Sequence, residues 1–346
     1  MRIAGFQPPR CGIVLAGGEG KRLRPFVRRL LGCELPKQYV SFIGTRSLLQ
    51  QAFDRAERLI SQERVFTVIA RDHSCYAEVQ RQIGQRTPDT VILQPVNKET
   101  GPGLLLPLMH LYKKYGNATV AVFPSDHFIL RDDLFNIYLR QAFEAVEESS
   151  NRIVFLGVKP TEPEPQYGYM IPESHTPDPG SPFLQRIKAF IEKPEPDMAE
   201  QIISLGALWN TMVMVFRAET LMHLVEVFAP RLHHAFQTIL QAIGAPREDL
   251  TIEGIYKQME PVNLSKDLIE IFCSESQLSM VAMKGLFWSD WGSEDRIVSV
   301  LEKFNDPDQI WNRAEIPTAL LPASGGSFHN DAGIPMPRLV ASSLGR

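Results

Sequence analysis

The stretch Leu15–Pro25, LAGGEGKRLRP, follows directly on the apolar run Gly12–Leu15, and its reading decides the fold. It sets three glycines (Gly17, Gly18, Gly20) and two cations (Lys21, Arg22) at a strand-to-loop junction. Glycine admits positive φ and lets backbone N–H groups approach a ligand that a side chain would obstruct. The guanidinium of Arg22 is a rigid fork suited to phosphate oxygens. The stretch therefore reads as a polyphosphate loop, with a bare tight turn as the alternative. It is not a Walker A loop, because Arg22 stands where Ser or Thr must follow Gly20-Lys21. It does not fit the dinucleotide fingerprint either, since Leu23 takes the place of the third glycine and Pro25 follows soon after.

Outward from that loop, short apolar runs alternate with helical patterns. Strands are expected at Cys11–Leu15, Val65–Ala70, Val91–Leu93, Thr119–Phe123 and Ile153–Val158. Between them, helices are expected at Ser47–Ile60, within Tyr76–Ile83, at Gly103–Lys114 and at Asp133–Glu148. This rhythm predicts an α/β fold with a mostly parallel sheet covered by helices on both faces. Such sheets bind ligands at the carboxyl ends of their strands, where Gly17–Lys21 and Pro124–His127 both fall. Pro160–Pro182 reads as loops around a short β insertion, Tyr167–Ile171. Further strands are expected at Phe183–Ile191, Leu208–Phe216 and Leu278–Met283, helices through Ala218–Ile271, and a last helix near Glu294–Phe304. The segment from Pro307, rich in Pro, Gly, Ser and Ala, reads as partly disordered or draped on the surface. No hexapeptide period announces a β-helix.

Composition bounds the partners. A hydrophobic content of 44%, charged content of 22% and net charge of −4 describe a globular chain with no global attraction to nucleic acid or anionic membrane. Phosphate binding must then be local. The four cysteines (Cys11, Cys33, Cys75, Cys273) lack metal-type spacing and read as reduced thiols. The start, MRIAGFQPPR, is too poor in apolar residues for a signal peptide, and no run approaches the ~18 residues of a membrane span. A cytoplasmic location is the expectation.

Five further segments carry candidate chemistry. In LPKQY, Lys37 is either a solvated lysine or a second cation for the ligand of the glycine loop. In FPSDHFI, Asp126 follows an apolar strand, where a carboxylate can hold Mg²⁺, an ion that prefers oxygen ligands and substrate phosphates; a turn or N-cap role is the rival. His127 has no partner His or Cys nearby and reads as a hydrogen-bonding residue. FIEKP and LWNTMVMVF supply Glu192 for sugar hydroxyls, Lys193 for a phosphate and Asn210 as donor and acceptor. FWSDWGSEDRI sets Asp290 between two tryptophans, as a second Mg²⁺ ligand or as the cap of the last helix.

Taken together and in this order, these segments resemble the sugar-1-phosphate nucleotidyltransferases over roughly Gly12–Lys303, with the guanylyltransferase branch nearest. The resemblance implies a Rossmann-like, GT-A-like core spanning residues 1–305, followed by an extension, 306–346. The nucleotide-binding half would run about 10–160 and an inserted sugar-phosphate-binding half about 161–305. By position, Leu15, Ala16, Gly17, Gly18, Gly20 and Lys21 fall in the nucleotide-binding loop, Arg22 on its catalytic arginine and Lys37 on the neighbouring lysine. Gln94, Thr100 and Gly101 of QPVNKETGPG fall in the base-recognition segment. Asp126 and Asp290 match the two Mg²⁺ ligands, and Gly168, Glu192, Lys193 and Asn210 the sugar-phosphate contacts. The implied substrates are GTP and mannose 1-phosphate, without nucleic acid or membrane, and a homodimer is left open. The chain departs from the branch at Lys21 and Arg24, where Thr or Ser and Trp are usual. It departs again at Lys98-Glu99-Thr100, in place of Arg-Asn-Thr, and at Thr211-Met212-Val213-Met214, in place of a Ser-Gly-Met-Phe type run. The roughly forty residues beyond Lys303 are too few for the isomerase domain of bifunctional relatives.

The implied reaction explains the absence of a Ser-His-Asp arrangement. A phosphate monoester with a second pKa of about 6 is already an anionic nucleophile at neutral pH. The difficulty is to bring two polyanions together and to stabilise the leaving pyrophosphate. Rival readings are a sister enzyme using UTP or dTTP with glucose 1-phosphate, and a catalytically silent nucleotide-sugar binder. A third, an NAD-dependent oxidoreductase, is more distant. Retention of both candidate metal carboxylates argues against the silent binder.

Overall fold

The computed structural model describes residues 8–174, 176, 181–273 and 278–304. The expected C-terminal extension lies outside the described residues. The first half runs β1 (Arg10–Ala16), α1 (Arg24–Leu31), α2 (Leu48–Glu57), β2 (Val65–Ala70), α3 (Ala77–Ile83), β3 (Val91–Gln94), α4 (Thr100–Tyr115), β4 (Thr119–Pro124), β5 (Phe128–Leu130), α5 (Asp132–Glu148) and β6 (Ile153–Val158). The second half adds β7 (Gly168–Pro172), β8 (Leu184–Glu192), α6 (Pro196–Ser204), β9 (Leu208–Arg217), α7 (Ala218–Phe228), α8 (Pro230–Ala242) and α9 (Glu248–Gln258). A π-helical turn, Leu264–Ile269, then runs into α10 (Glu270–Phe272), and β10 (Leu278–Met283), β11 (Phe287–Ser289) and α11 (Glu294–Phe304) follow.

Nine strands form one mixed sheet in the order β3-β2-β1-β4-β9-β6-β10-β8-β7. The block β3-β2-β1-β4 is parallel throughout. Strand β9 enters antiparallel between β4 and β6, so residues of the second half lie at the centre of the sheet. The expected α/β class and sandwiching by helices hold. Alternation along single strands shows why: Val14 and Ala16 of β1 join one core, while Cys11 and Ile13 join the other. Likewise β9 sends Val213 and Val215 to one face and Met214 and Phe216 to the opposite one. Both faces are apolar, so both need helices.

Several boundaries shift for local reasons. Ser47 stays outside α2 as its cap, accepting from the Gln50 N–H at 3.2 Å while Gln50 Oε1 accepts from the Ser47 N–H at 3.0 Å. Helix α4 begins at Thr100, with Gly101 and Pro102 inside its first turn, where a missing N–H costs nothing. The short hairpin β5–β11 pairs Phe128 with Ser289 and Ile129 with Trp288. A separate small core of Leu23, Leu48, Phe128, Trp291, Ile297 and Val300 holds this hairpin and α11 against the main body. All four cysteines are free thiols. No helix among the described residues is long and apolar enough to cross a membrane.

Candidate active site

The β5–β11 pairing brings together two carboxylates far apart in sequence. Asp126 and His127 precede β5, Asp290 follows β11, and the register Phe128–Ser289 sets these ends side by side. Lys37 lies between them. Its ammonium donates to the carbonyls of Asp290 (2.6 Å) and Trp291 (3.1 Å) and sits 3.2 Å from Asp126 Oδ2. The lysine is thus buried at the centre of the site.

The glycine loop is fixed from below. Gln38, which the sequence reading passed over, is 2% exposed and donates through Nε2 to the carbonyls of Ala16 (3.0 Å) and Gly18 (2.7 Å). Its place beside Lys37 in PKQ is the signal that could have marked it. Gly20 has φ 58, and a Cβ there would stand 3.3 Å from the backbone N of Lys37. The loop thus requires glycine both for its turn and for its approach to the PKQ segment.

Two cavities flank this arrangement. One, of about 320 Å³, is lined by Leu15, Gly17, Gly18, Gln94, Thr100 and Asp126, and also by Asn97, Glu99, Ser125 and Met212. Two of its buried polar atoms, Gln94 Nε2 and Ser125 Oγ, have no hydrogen-bond partner. The other, of about 390 Å³, is lined by Gly20, Lys21, Arg22, Lys37, Asn97 and Asp290 among others. Asn97 borders both. The first suits a base and ribose, whereas the second, with three cations, suits phosphates. Within it Lys21 is exposed and paired with Glu19 at 2.7 Å, and Arg22 Nη1 donates to Gln166 at 3.2 Å. Gly101 is not among the lining residues: its N–H donates to the Val262 carbonyl at 2.9 Å, and a Cβ there would meet that oxygen at 2.7 Å. Its glycine is required by close packing against Val262.

The candidate sugar-phosphate residues Gly168, Glu192 and Asn210 lie on β7, β8 and β9, with Lys193 directly after β8. Gly168 pairs with Glu192, and a Cβ on it would stand 2.6 Å from Glu192 Oε2. Burial pushes the Glu192 carboxyl above its ordinary value, opposed by Lys193, whose Nζ lies 3.6 Å away. Asn210 is buried with its amide turned to Met212.

Asp290 is more heavily engaged than the sequence indicates. Its Oδ1 accepts from Tyr167 OH (2.9 Å), the Gly292 N–H (3.0 Å) and Arg296 Nη1 (2.7 Å). Arg296 also pairs through Nη2 with Glu164 at 2.6 Å and lies over the Tyr167 ring at 4.6 Å. Burial alone would raise the Asp290 carboxyl, but Lys37 and Arg296 hold it below the usual carboxylate range. His127 behaves as read from sequence: Trp288 Nε1 donates to its Nδ1 at 3.3 Å, and burial holds its imidazole below the ordinary value. Among the described residues no three His, Cys, Asp or Glu side chains converge as a metal cage. Asp290 lines the cation-rich cavity and Asp126 the neighbouring one; carboxylates so placed fit the donor set of Mg²⁺, which keeps several waters and takes substrate phosphates as ligands.

A sheet of this topology, with a glycine loop and two carboxylates at its ligand edge, defines a nucleotidyltransferase of the Rossmann-like GT-A type. A model of the nucleotidyl transferase family matches residues 11–306, and the chain belongs to that family. It is similar to a mannose-1-phosphate guanylyltransferase of Klebsiella pneumoniae, at 28% identity covering 84% of this chain and 60% of that one. It is similar also to the xanthan biosynthesis protein XanB of Xanthomonas campestris, at 26% identity covering 84% and 59%. The chain thus spans about 60% of the length of such curated relatives. Among solved structures, a protein of Thermus thermophilus described as mannose-1-phosphate geranyltransferase superposes with TM-score 0.70 at 25% identity, covering 84% of this chain and 79% of that one. A UDP-glucose pyrophosphorylase complexed with UDP-glucose shares the fold at TM-score 0.53 and 16% identity.

Proposed function

We propose that this protein transfers a guanylyl group from GTP to mannose 1-phosphate, forming GDP-mannose and pyrophosphate. The observation that carries this reading is the meeting of Lys37, Asp126 and Asp290 beside the cavity lined by Lys21 and Arg22. The relatives named as mannose-1-phosphate guanylyltransferases support the choice of substrates, and XanB and the alginate biosynthesis protein AlgA of Pseudomonas putida support a role in supplying polysaccharide synthesis. The unpartnered buried Gln94 Nε2 adds a donor matched to a carbonyl-bearing base such as guanine.

In this reading the sugar phosphate attacks the α-phosphate in line, with no general base, because the monoester is already anionic. Arg22 and Lys37 stabilise charge on the leaving pyrophosphate. Lys193 holds the sugar phosphate, and Glu192, Asn210 and the close backbone at Gly168 orient the sugar. Asp126 and Asp290 would hold Mg²⁺, which supplies charge neutralisation between the two anionic substrates. The test is a panel of nucleoside triphosphates against hexose 1-phosphates, with Mg²⁺, scored by pyrophosphate release. The GTP and mannose 1-phosphate pair is expected to give the highest kcat/KM, and a preference for UTP or dTTP with glucose 1-phosphate would overturn the assignment.

A further inference from the structure

Met212 occupies an unusual backbone position for a long side chain, with φ 58 in the left-handed region. Of the five non-glycine residues with positive φ among the described residues, four stand at the site: Glu99, Lys193, Met212 and Trp291. Backbone of this kind persists where the surroundings over-determine it, and it gathers at ligand clamps. Met212 engages both polar ends of Asn210. Its N–H donates to Asn210 Oδ1 at 2.9 Å, and Asn210 Nδ2 donates to Met212 Sδ at 3.2 Å. Ser265 Oγ approaches the same sulfur at 3.4 Å. Met212 also lines the 320 Å³ cavity, so it touches the base-and-ribose side and the candidate sugar-phosphate side together.

The chemistry of that contact is specific. With Oδ1 committed to a main-chain N–H, the amide cannot flip without losing that bond, and Nδ2 is fixed on the other side. A carboxamide nitrogen carries two N–H groups, and the thioether, a weak acceptor, takes one. The second remains for an oxygen of the ligand. Asn210 is thereby held in one orientation, with its Nδ2 on the side away from the main-chain bond, while the Met212 side chain fills space that a glycine would leave open.

Resting on the nucleotidyl-transfer reading above, we propose that Met212 is a positioning and specificity-determining residue. It fixes Asn210 as a donor to a sugar or phosphate oxygen, and it walls the seam between the two pockets against sugar phosphates bearing an added acyl substituent.

The experiment compares the wild type with Met212→Leu and Met212→Gly, at saturating GTP and Mg²⁺, using mannose 1-phosphate and N-acetylglucosamine 1-phosphate. Leucine keeps the volume and removes the acceptor, so KM for mannose 1-phosphate should rise about three- to tenfold with KM for GTP unchanged. Glycine opens the wall, so the kcat/KM ratio of the acetylated to the plain sugar should rise about tenfold or more, the scale of one group in a pocket. Wild-type KM in the leucine variant together with an unchanged ratio in the glycine variant would overturn the inference. Direct titration of mannose 1-phosphate into wild type and Met212→Leu separates this from failure of the transfer reading. If no pair of substrates releases pyrophosphate, weaker sugar-phosphate binding by the variant still supports the role of Met212. Equal affinity, or no binding by either, overturns it.

Discussion

Arg296 donates through Nη1 to Asp290 Oδ1 at 2.7 Å, from the first turn of α11 and only six residues beyond the carboxylate. With Tyr167 and the Gly292 N–H on the same oxygen, Oδ1 accepts three hydrogen bonds, which fix the orientation of the carboxylate proposed to hold the cation. Arg296→Met should therefore loosen the aim of Asp290 and break its pairing with Glu164. A loss of about 1–3 kcal/mol in stability is expected, together with a higher Mg²⁺ concentration for half-maximal rate. Arg296→Lys, which keeps charge without the fork, should fall between. Thermal melts and Mg²⁺ titrations of pyrophosphate release measure both effects.

Asp126→Asn preserves shape and removes one of the two carboxylates proposed to hold the cation. Turnover should drop by about 10²–10³, with a melting temperature near that of the wild type. Near-normal turnover would remove Asp126 from the metal site.

Lys37→Met takes away the cation that joins the Asp126 and Asp290 loops. Turnover should again fall by about 10²–10³. The loss should also show in the fold, because two carbonyls at Asp290 and Trp291 lose a buried donor. Activity and guanidinium unfolding, followed on the same preparations, give the two readouts.

Burial raises the Glu192 carboxyl pKa above its ordinary value, and Lys193 only partly offsets that cost. A raised acid penalises the folded state above that pKa, and the penalty fades as the pH falls through it, because the folded state takes up its proton first. Glu192→Gln should therefore melt higher than wild type at pH 7.5, by a margin that shrinks toward pH 5. The same variant should show a raised KM for the sugar phosphate. Melting curves across that range, with kinetics at pH 7.5, check both.

Gly168→Ala would place a methyl 2.6 Å from Glu192 Oε2 and 2.8 Å from the Phe190 ring. Strand β7 must then move off β8, at about 1–3 kcal/mol, and the Glu192 carboxylate moves with it. Lower stability combined with a raised KM for the sugar phosphate, and little change in KM for GTP, is the expected pattern.

The strands were the most legible part of the chain. Val65–Ala70, Ile153–Val158 and Leu278–Met283 were read at their observed bounds, because buried sheet leaves uninterrupted apolar runs. Helix α1 escaped notice, since RPFVRRLL buries only Val27 and reads as a charged loop. The β5–β11 hairpin escaped because each arm is three residues long. In the site, Asp126, Asp290 and Lys37 stand out by residue type beside a strand end or a proline. Gln38, Tyr167 and Arg296 do not, because their importance arises only when loops distant in sequence are set against each other. That Lys37 lies between the two carboxylates, and not merely near the glycine loop, likewise follows from the hairpin register.

The central position of β9 bears on how the chain can be made and divided. Strand β6 finds both of its neighbours, β9 and β10, only in later sequence, and β4 waits for β9 on one edge. A ribosome that has released residues 1–158 has made β6 with neither partner, two open edges that invite pairing between copies. The glycine loop, complete within the first 25 residues, thus belongs to a sheet that cannot close until Met283 has emerged. Cutting the gene between the two halves would yield an aggregating fragment and no nucleotide-binding module.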